Sequence, residues 1–214
     1  MNLNVPLIRQ PKNSKECGIA GLSMILQYYG FMDDFETLRR QIVVDKNGTY
    51  IPQIGIFLMK KGFNVTIITL NPALFTLRDI GISAASMQKR FENFRRTANK
   101  QNKKVLSYFI EFLKNGGIIK VKIPDAKDIE DEIVKNRPLG ASLTTAFMSE
   151  SSSRFNFHFN IITGIDDKYV YVNDPLWDAH GGKKCYLKDH FFFGLFASQY
   201  GDLDNGSLLV VEKK

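Results

Sequence analysis

The sequence predicts an α+β fold in which N-terminal helices pack on a C-terminal antiparallel sheet. Three observations carry this reading. Apolar residues recur at helical spacing through most of the first 115 positions. From Phe155 onward the chain is β-rich, with runs at 155–164, 168–173, 183–187 and 207–212. The first two runs are joined by a short turn at Asp166-Asp167, as in a hairpin. The 214 residues, 44 % hydrophobic and 24 % charged, suit one domain over 1–214 with a core large enough to stand without disulfide or metal.

Leu3 to Ile8 reads as short and extended, with Pro6 inside it and Pro11 after it. A helix follows from Cys17 to Tyr29, and Gly30 ends it in a left-handed cap. Asp33 or Asp34 caps a second helix through Phe35 to Gln41. Pro52 to Lys61 forms a third, closed by Gly62, and the β-branched run Asn64 to Leu70 forms a strand. Ser83 to Asn115 holds two helices broken near Asn99 to Asn102. Met87, Phe91 and Phe94 mark the first, and Leu106, Phe109, Ile110 and Leu113 the second. Ile118 to Ile123 is a strand, Ala126 to Asn136 a helix, and Pro138 to Thr144 a further strand. The stretch at about 78–115 reads as a basic helical insertion in the domain.

Charge is concentrated there. Residues 89–104, KRFENFRRTANKQNKK, place Lys89, Arg90, Arg95, Arg96, Lys100, Lys103 and Lys104 against Glu92 alone, six of the seven net positive charges of the chain. One reading is a patch for an acidic partner such as nucleic acid or acidic lipid. The other is a solvated helix face over Phe91 and Phe94, favoured because no nucleic-acid recognition motif accompanies the charge. The N-terminus lacks the features of a secretory signal, and no run approaches the roughly 18 apolar residues of a membrane span. The expectation is a cytoplasmic protein with reduced thiols. Cys17 and Cys185 stand in no ligand-like spacing, there is no HExxH, and the three histidines do not cluster, so no metal site and no cofactor are expected.

The stretch NSKECGIAGLSMILQYYG, residues 13–30, sets Cys17 at the head of an apolar helix. On a helical wheel Leu22, Ile25, Leu26 and Tyr29 form the main buried stripe, and Cys17 falls off it with Gly21, Met24 and Tyr28. Unpaired N–H groups and the positive end of the helix dipole stabilise a thiolate at that position. The same N–H groups receive an oxyanion when the thiolate attacks a carbonyl. Gly18 is expected to admit a substrate backbone, and Gly21 to leave room beside the thiol. Against this stands the ordinary role of a lone cysteine as a small buried hydrophobe. A nucleophile needs a base, so the histidines decide.

In RFNFHFNIITGIDDKYVYVNDP, residues 154–175, Phe155, Phe157, Phe159 and Ile161 alternate on one strand face, and Asn156, His158 and Asn160 share the other. That polar face is expected to be wet. A clean two-residue turn at Asp166-Asp167 sends Asp174 to the face away from His158 and leaves Asn173 as the substitute. A three-residue loop, or one bulge near Asp166 to Lys168, brings Asp174 onto the histidine face. There it holds the imidazole in the tautomer that takes a proton from sulfur. His180, before a Gly-Gly pair, and His190, among aromatics, lack a carboxylate on a shared face and read as structural or surface residues.

The pattern Q-x6-CGIAGLSMILQYYG, followed much later by HFNIITGIDDKYVYVNDP, resembles the peptidase C39-like branch of the papain-like cysteine proteases. The resemblance implies a papain-like fold. It also implies a catalytic set of Cys17 as nucleophile, His158 and Asp174 completing a triad, and Gln10 as oxyanion-hole donor. Gln10 stands seven residues before Cys17, one more than the family spacing. The implied activity is a thiol hydrolase acting on a peptide or protein, with small residues such as glycine at the cleavage site. No ATP-binding cassette follows, so a free-standing peptidase is expected rather than the arm of an exporter. Two alternatives remain open: an acyltransferase or transglutaminase-like enzyme using the same three residues, and a non-catalytic papain-like binding module for an acidic partner.

Overall fold

The computed structural model describes residues 2–149 and 155–214. Its elements run α1 (Cys17–Tyr28), α2 (Phe35–Arg39), α3 (Ile51–Lys60), β1 (Phe63–Thr69), α4 (Ala84–Thr97), α5 (Lys100–Lys114), β2 (Ile118–Val121), α6 (Ala126–Ile133), β3 (Leu139–Leu143) and α7 (Ala146–Ser149). The chain continues with β4 (His158–Ile165), β5 (Tyr169–Asp174), β6 (Gly182–Leu187), α8 (Lys188–Ala197) and β7 (Ser207–Lys213). Local chemistry sets several boundaries. Gly30 takes φ 83°, which stops α1 where a side chain would be strained. Asp34 accepts the Thr37 N–H at 2.8 Å and opens α2. Asn99 accepts the Asn102 N–H at 2.9 Å, which starts α5 and explains the break after α4.

The seven strands order as β2-β1-β7-β3-β4-β5-β6. All neighbours are antiparallel except β1 and β2, which run parallel. The sheet is therefore less C-terminal than the sequence suggests. β1 enters it from the helical half, and the last strand, β7, closes the gap between β1 and β3. The stretch between the last two β runs, to which the sequence assigns no element, holds the helix α8 at Lys188–Ala197, and Ser198–Tyr200 adds a 3₁₀ turn.

α1 is buried from Gly18 to Leu26 on every side, as a helix held between layers must be. Its Gly21 does not leave space beside the thiol. A Cβ there would lie 2.6 Å from Phe159 Cδ1 and 3.2 Å from Ile161 Cδ1, so the glycine is the slot into which β4 packs. Gly18 is likewise closed, because its Cβ would meet Thr49 and Ile54 at 3.0 Å. Gly21→Ala is expected to cost about 1–3 kcal/mol by overpacking, read as a lower urea midpoint. An unchanged midpoint would mean that the Phe159 ring can swing aside.

On the basic helices, Phe91 and Phe109 are fully buried and pack ring to ring at 5.6 Å. Part of the charge is neutralised locally: Arg90 pairs with Asp79 at 3.0 Å and Lys104 pairs with Asp45. No helix among the described residues is long and apolar enough to cross a membrane.

Candidate active site

Cys17 is the first residue of α1 and is half-buried. The N-cap residue before it, Glu16, makes no side-chain cap. Its carboxylate instead accepts Arg39 Nε at 2.6 Å. No acidic residue lies in the first turn either, so the N–H groups at the head of α1 are free of the anionic side chains that commonly meet them. His158 opens β4, and its Nε2 lies 2.6 Å from Asp174 Oδ1 at the end of β5. Both residues are buried, at 6 % and 1 % exposure. The Leu176 N–H donates to the same Asp174 oxygen at 2.8 Å, which fixes the carboxylate.

The ring nitrogen left over is Nδ1, and the thiol side chain interacts with the imidazole closely enough to affect its titration. Burial alone would lower the His158 pKa. The charge and hydrogen bond of Asp174, with a smaller contribution from Cys17, outweigh it and raise the pKa well above the usual histidine range. The Asp174 carboxylate thus favours the protonated form of the imidazole beside sulfur.

A bulge makes this pairing possible. In the hairpin Gly164 faces Tyr171 and Ile165 faces Val170, yet Ile162 faces Val172 and Ile161 faces Asn173. The extra residue is Thr163, so the bulge lies inside β4 rather than near Asp166 to Lys168. The turn itself is tight, with the Asp166 N–H donating to Tyr169 O at 3.0 Å. Continuing the shifted register by one residue sets Asp174 across from Asn160, on the face of His158. Asn173 falls on the opposite face, where its amide donates to Val5 O at 3.0 Å and Pro6 O at 3.2 Å and ties down the N-terminal segment.

Two expectations about β4 are corrected. The strand begins only at His158, leaving Phe155 and Phe157 before it and exposed. The His158 face is not wet, because every residue of β4 is buried. Asn156 is an anchor: its Oδ1 accepts from Thr144 Oγ1 at 2.8 Å and from the Thr145 and Ala146 N–H groups at 2.9 and 2.8 Å.

Gln10 lies beside the same cleft. Its N–H donates to Pro175 O at 2.8 Å, which ties it to the end of β5, and its Nε2 donates to Ser14 O at 2.7 Å. The amide oxygen is buried without a partner. His180 sits in a loop with its Nδ1 3.1 Å from Asp178, and His190 is exposed on α8. Cys185 is exposed on β6. None of these three lines the cleft. Among the described residues no group of three His, Cys, Asp or Glu side chains could hold a metal ion.

A family model described as the Peptidase_C39 like family matches residues 2–204. The chain belongs to the peptidase C39-like family. No curated protein matches the sequence. Two solved structures share the fold of this C39-like chain. One is a double glycine motif protease from an AMS/PCAT transporter in complex with the leader peptide, at 17 % identity and TM-score 0.51 over 100 % of this chain and 94 % of that one. The other is the peptidase domain of Streptococcus ComA, a bifunctional ABC transporter involved in a quorum sensing pathway, at 14 % identity and TM-score 0.51 over 99 % and 100 %. The helices and seven-stranded sheet are those of C39 papain-like peptidase domains, and family and fold together support cysteine peptidase activity.

The cleft of the C39-like chain has two parts on either side of Cys17 and His158. One, of about 280 Å³, is bounded by Gln10, Lys15, Lys46, Asn156 and Leu176. The other is a slot of about 30 Å³ walled by Asn47, Tyr50, Ser142, Asp202, Asp204 and Asn205. Sequence reasoning missed this second wall, since the 201–206 turn carries only loop composition and meets α3 from more than 150 positions away. Asp204 accepts the Ile51 N–H at 2.7 Å at the head of α3. Burial pushes its pKa up to about 7, with the Ile51 hydrogen bond opposing and Asp202 adding. A wider apolar hollow of about 410 Å³ lies among Leu70, Phe75, Leu77, Ile123 and Phe196, but no nucleophilic or titratable group lines it.

Proposed function

We propose that the chain is a thiol peptidase in which Cys17, His158 and Asp174 act as a triad and Gln10 supplies an oxyanion donor, the whole of 1–214 serving as one peptidase domain. The observation that carries this reading is the 2.6 Å contact of His158 with buried Asp174, behind a half-buried thiol at an uncapped helix start. The thiolate of Cys17 attacks the peptide carbonyl, forming a C–S bond while the carbonyl electrons move to oxygen. That oxygen is met by the Cys17 N–H and by a Gln10 Nε2 proton. The tetrahedral centre collapses with loss of the amine, which takes its proton from His158 Nδ1. The imidazole then removes a proton from water, and the resulting attack frees the acid and regenerates the thiolate beside the imidazolium.

The slot of about 30 Å³ fits a substrate with small residues, such as glycine, beside the scissile bond. Leader-peptide binding by the transporter protease of the same fold is in keeping with a peptide substrate.

The test is site-selective alkylation. Iodoacetamide at pH 6 to 7 is expected to modify Cys17 faster than Cys185, although Cys185 is the more exposed thiol. Peptide mapping against time reads both rates at once. Equal rates, or faster loss of Cys185, would remove the activated nucleophile and with it the triad reading.

A further inference from the structure

Asn160 is completely buried, and neither its amide nitrogen nor its amide oxygen has a hydrogen-bond partner. Asn156, which precedes the strand, has its amide oxygen fully engaged. A buried carboxamide with both ends unpaired is costly and rare in a native core. The register explains where it points. Continued one residue beyond Ile161 and Asn173, the register sets Asn160 across from Asp174 on the face shared with His158, where opposite Cα atoms lie about 4.5–5.5 Å apart. Asp174 is the complementary orphan: Oδ1 takes both the imidazole and the Leu176 N–H, while Oδ2 is buried with no partner.

Resting on the triad reading, we infer that Asn160 is a positioning residue that holds the second oxygen of Asp174 through its amide N–H, directly or through one water. The hydrogen bond stops the carboxylate from rotating away from His158. Without it, the imidazole loses its fixed partner, and the imidazolium that supports a thiolate is weakened.

Besides Asn160, the buried and unpaired Tyr186 hydroxyl is a second candidate donor for that oxygen. β4 contributes His158, already bound to Oδ1. β6 contributes Cys185, which is exposed, and Tyr186, whose pKa is raised by burial and then by the Asp174 charge. The Tyr186 hydroxyl is itself buried and unpaired, and a shared water would serve it as well. From the N-terminal segment, Arg9 Nη1 is spent on Leu176 O and Asp178 O, both at 2.8 Å. Beyond β5, Asp178 and His180 pair with each other. On α8, Lys188 bonds Glu130, and Asp189 and His190 are exposed. α1 contributes Cys17, which acts on the imidazole.

The experiment measures the rate of Cys17 alkylation by iodoacetamide against pH in wild type, Asn160→Leu, Asn160→Thr, Asp174→Asn and the Asp174→Asn/Asn160→Leu double variant, with urea midpoints for each. Leucine keeps the volume and removes the donor, whereas threonine keeps a donor and suits a strand. Asn160→Leu is expected to slow alkylation about tenfold, the low end for one hydrogen bond to a charged group. Its acid limb should move to higher pH, and threonine should restore part of the rate. In the Asp174→Asn background Asn160→Leu should add nothing. An Asn160→Leu protein with an unchanged rate and limb overturns the proposal, whatever its midpoint, as does an equal slowing in both backgrounds. If Asp174→Asn itself leaves alkylation untouched, the triad reading fails, and Asn160 has nothing to position.

Discussion

Replacing His158 with alanine is expected to lower kcat by about 10²- to 10⁴-fold, the range for loss of a positioned general acid–base. The same change exposes a second effect. Asp174, 1 % exposed, would lose its imidazole and remain a buried charge whose Oδ1 keeps the Leu176 N–H alone. Removing one partner of such a pair costs about 3–5 kcal/mol. His158→Gln separates the two consequences, because a carboxamide N–H can still serve Asp174 but cannot carry a proton between sulfur and the leaving amine. Glutamine should therefore lose as much activity as alanine while unfolding at a higher urea concentration. If either protein keeps activity within tenfold of wild type, His158 is not the base. Mass-spectrometric alkylation of Cys17 should fall in parallel with turnover in both.

The second large effect is expected at Gln10. With Nε2 already donating to Ser14 O, one amide proton remains for an oxyanion, and the tie to Pro175 O holds the backbone close to the Asp174 end of β5. Gln10→Ala should lower kcat by roughly 10²–10³, about 2.7–4 kcal/mol, with KM little changed, since the donor is needed only in the transition state. Cys17 should still alkylate at nearly the wild-type rate, because helix head and imidazole are intact. A parallel fall in alkylation and turnover would show that Gln10 organises the thiol. Unchanged kcat would show that the longer Gln–Cys spacing has carried the amide out of reach.

Where a boundary is written in one or two residues, the sequence was legible. Gly30, Asp34, Asn99 and the β-branched run of β1 mark their elements within a residue or so of where they occur. That Cys17 heads a helix was legible as well, but the strand parity that decides between Asn173 and Asp174 was not, because it turns on the bulge at Thr163. What was lost is what depends on partners far along the chain. α8 stays unassigned from sequence because Phe191, Phe192, Phe193, Leu195 and Phe196 leave no polar stripe to betray a helical period. The parallel pairing of β1 with β2 spans the whole of α4 and α5. The faces of Gly18 and Gly21 also escaped, since a glycine states that something is close without saying what. Here it is Thr49, Ile54 and the ring of Phe159, and not a ligand.

The extra residue at Thr163 acts on the hairpin as a phase shifter. Its carbonyl, released from regular pairing, is taken up by the Leu3 N–H at 2.7 Å, and Asn2 bridges Gly164, so the N-terminal segment clamps the shift in place. Deleting Thr163 would give a smoother hairpin with the same turn and much the same buried surface. It would also keep Asn160 across from Asp174, so His158 and Asp174 would stay on one side of the sheet, turned over together relative to the residues beside the turn. One residue of length in this strand thus decides which side of the sheet the His158–Asp174 pair occupies relative to the turn.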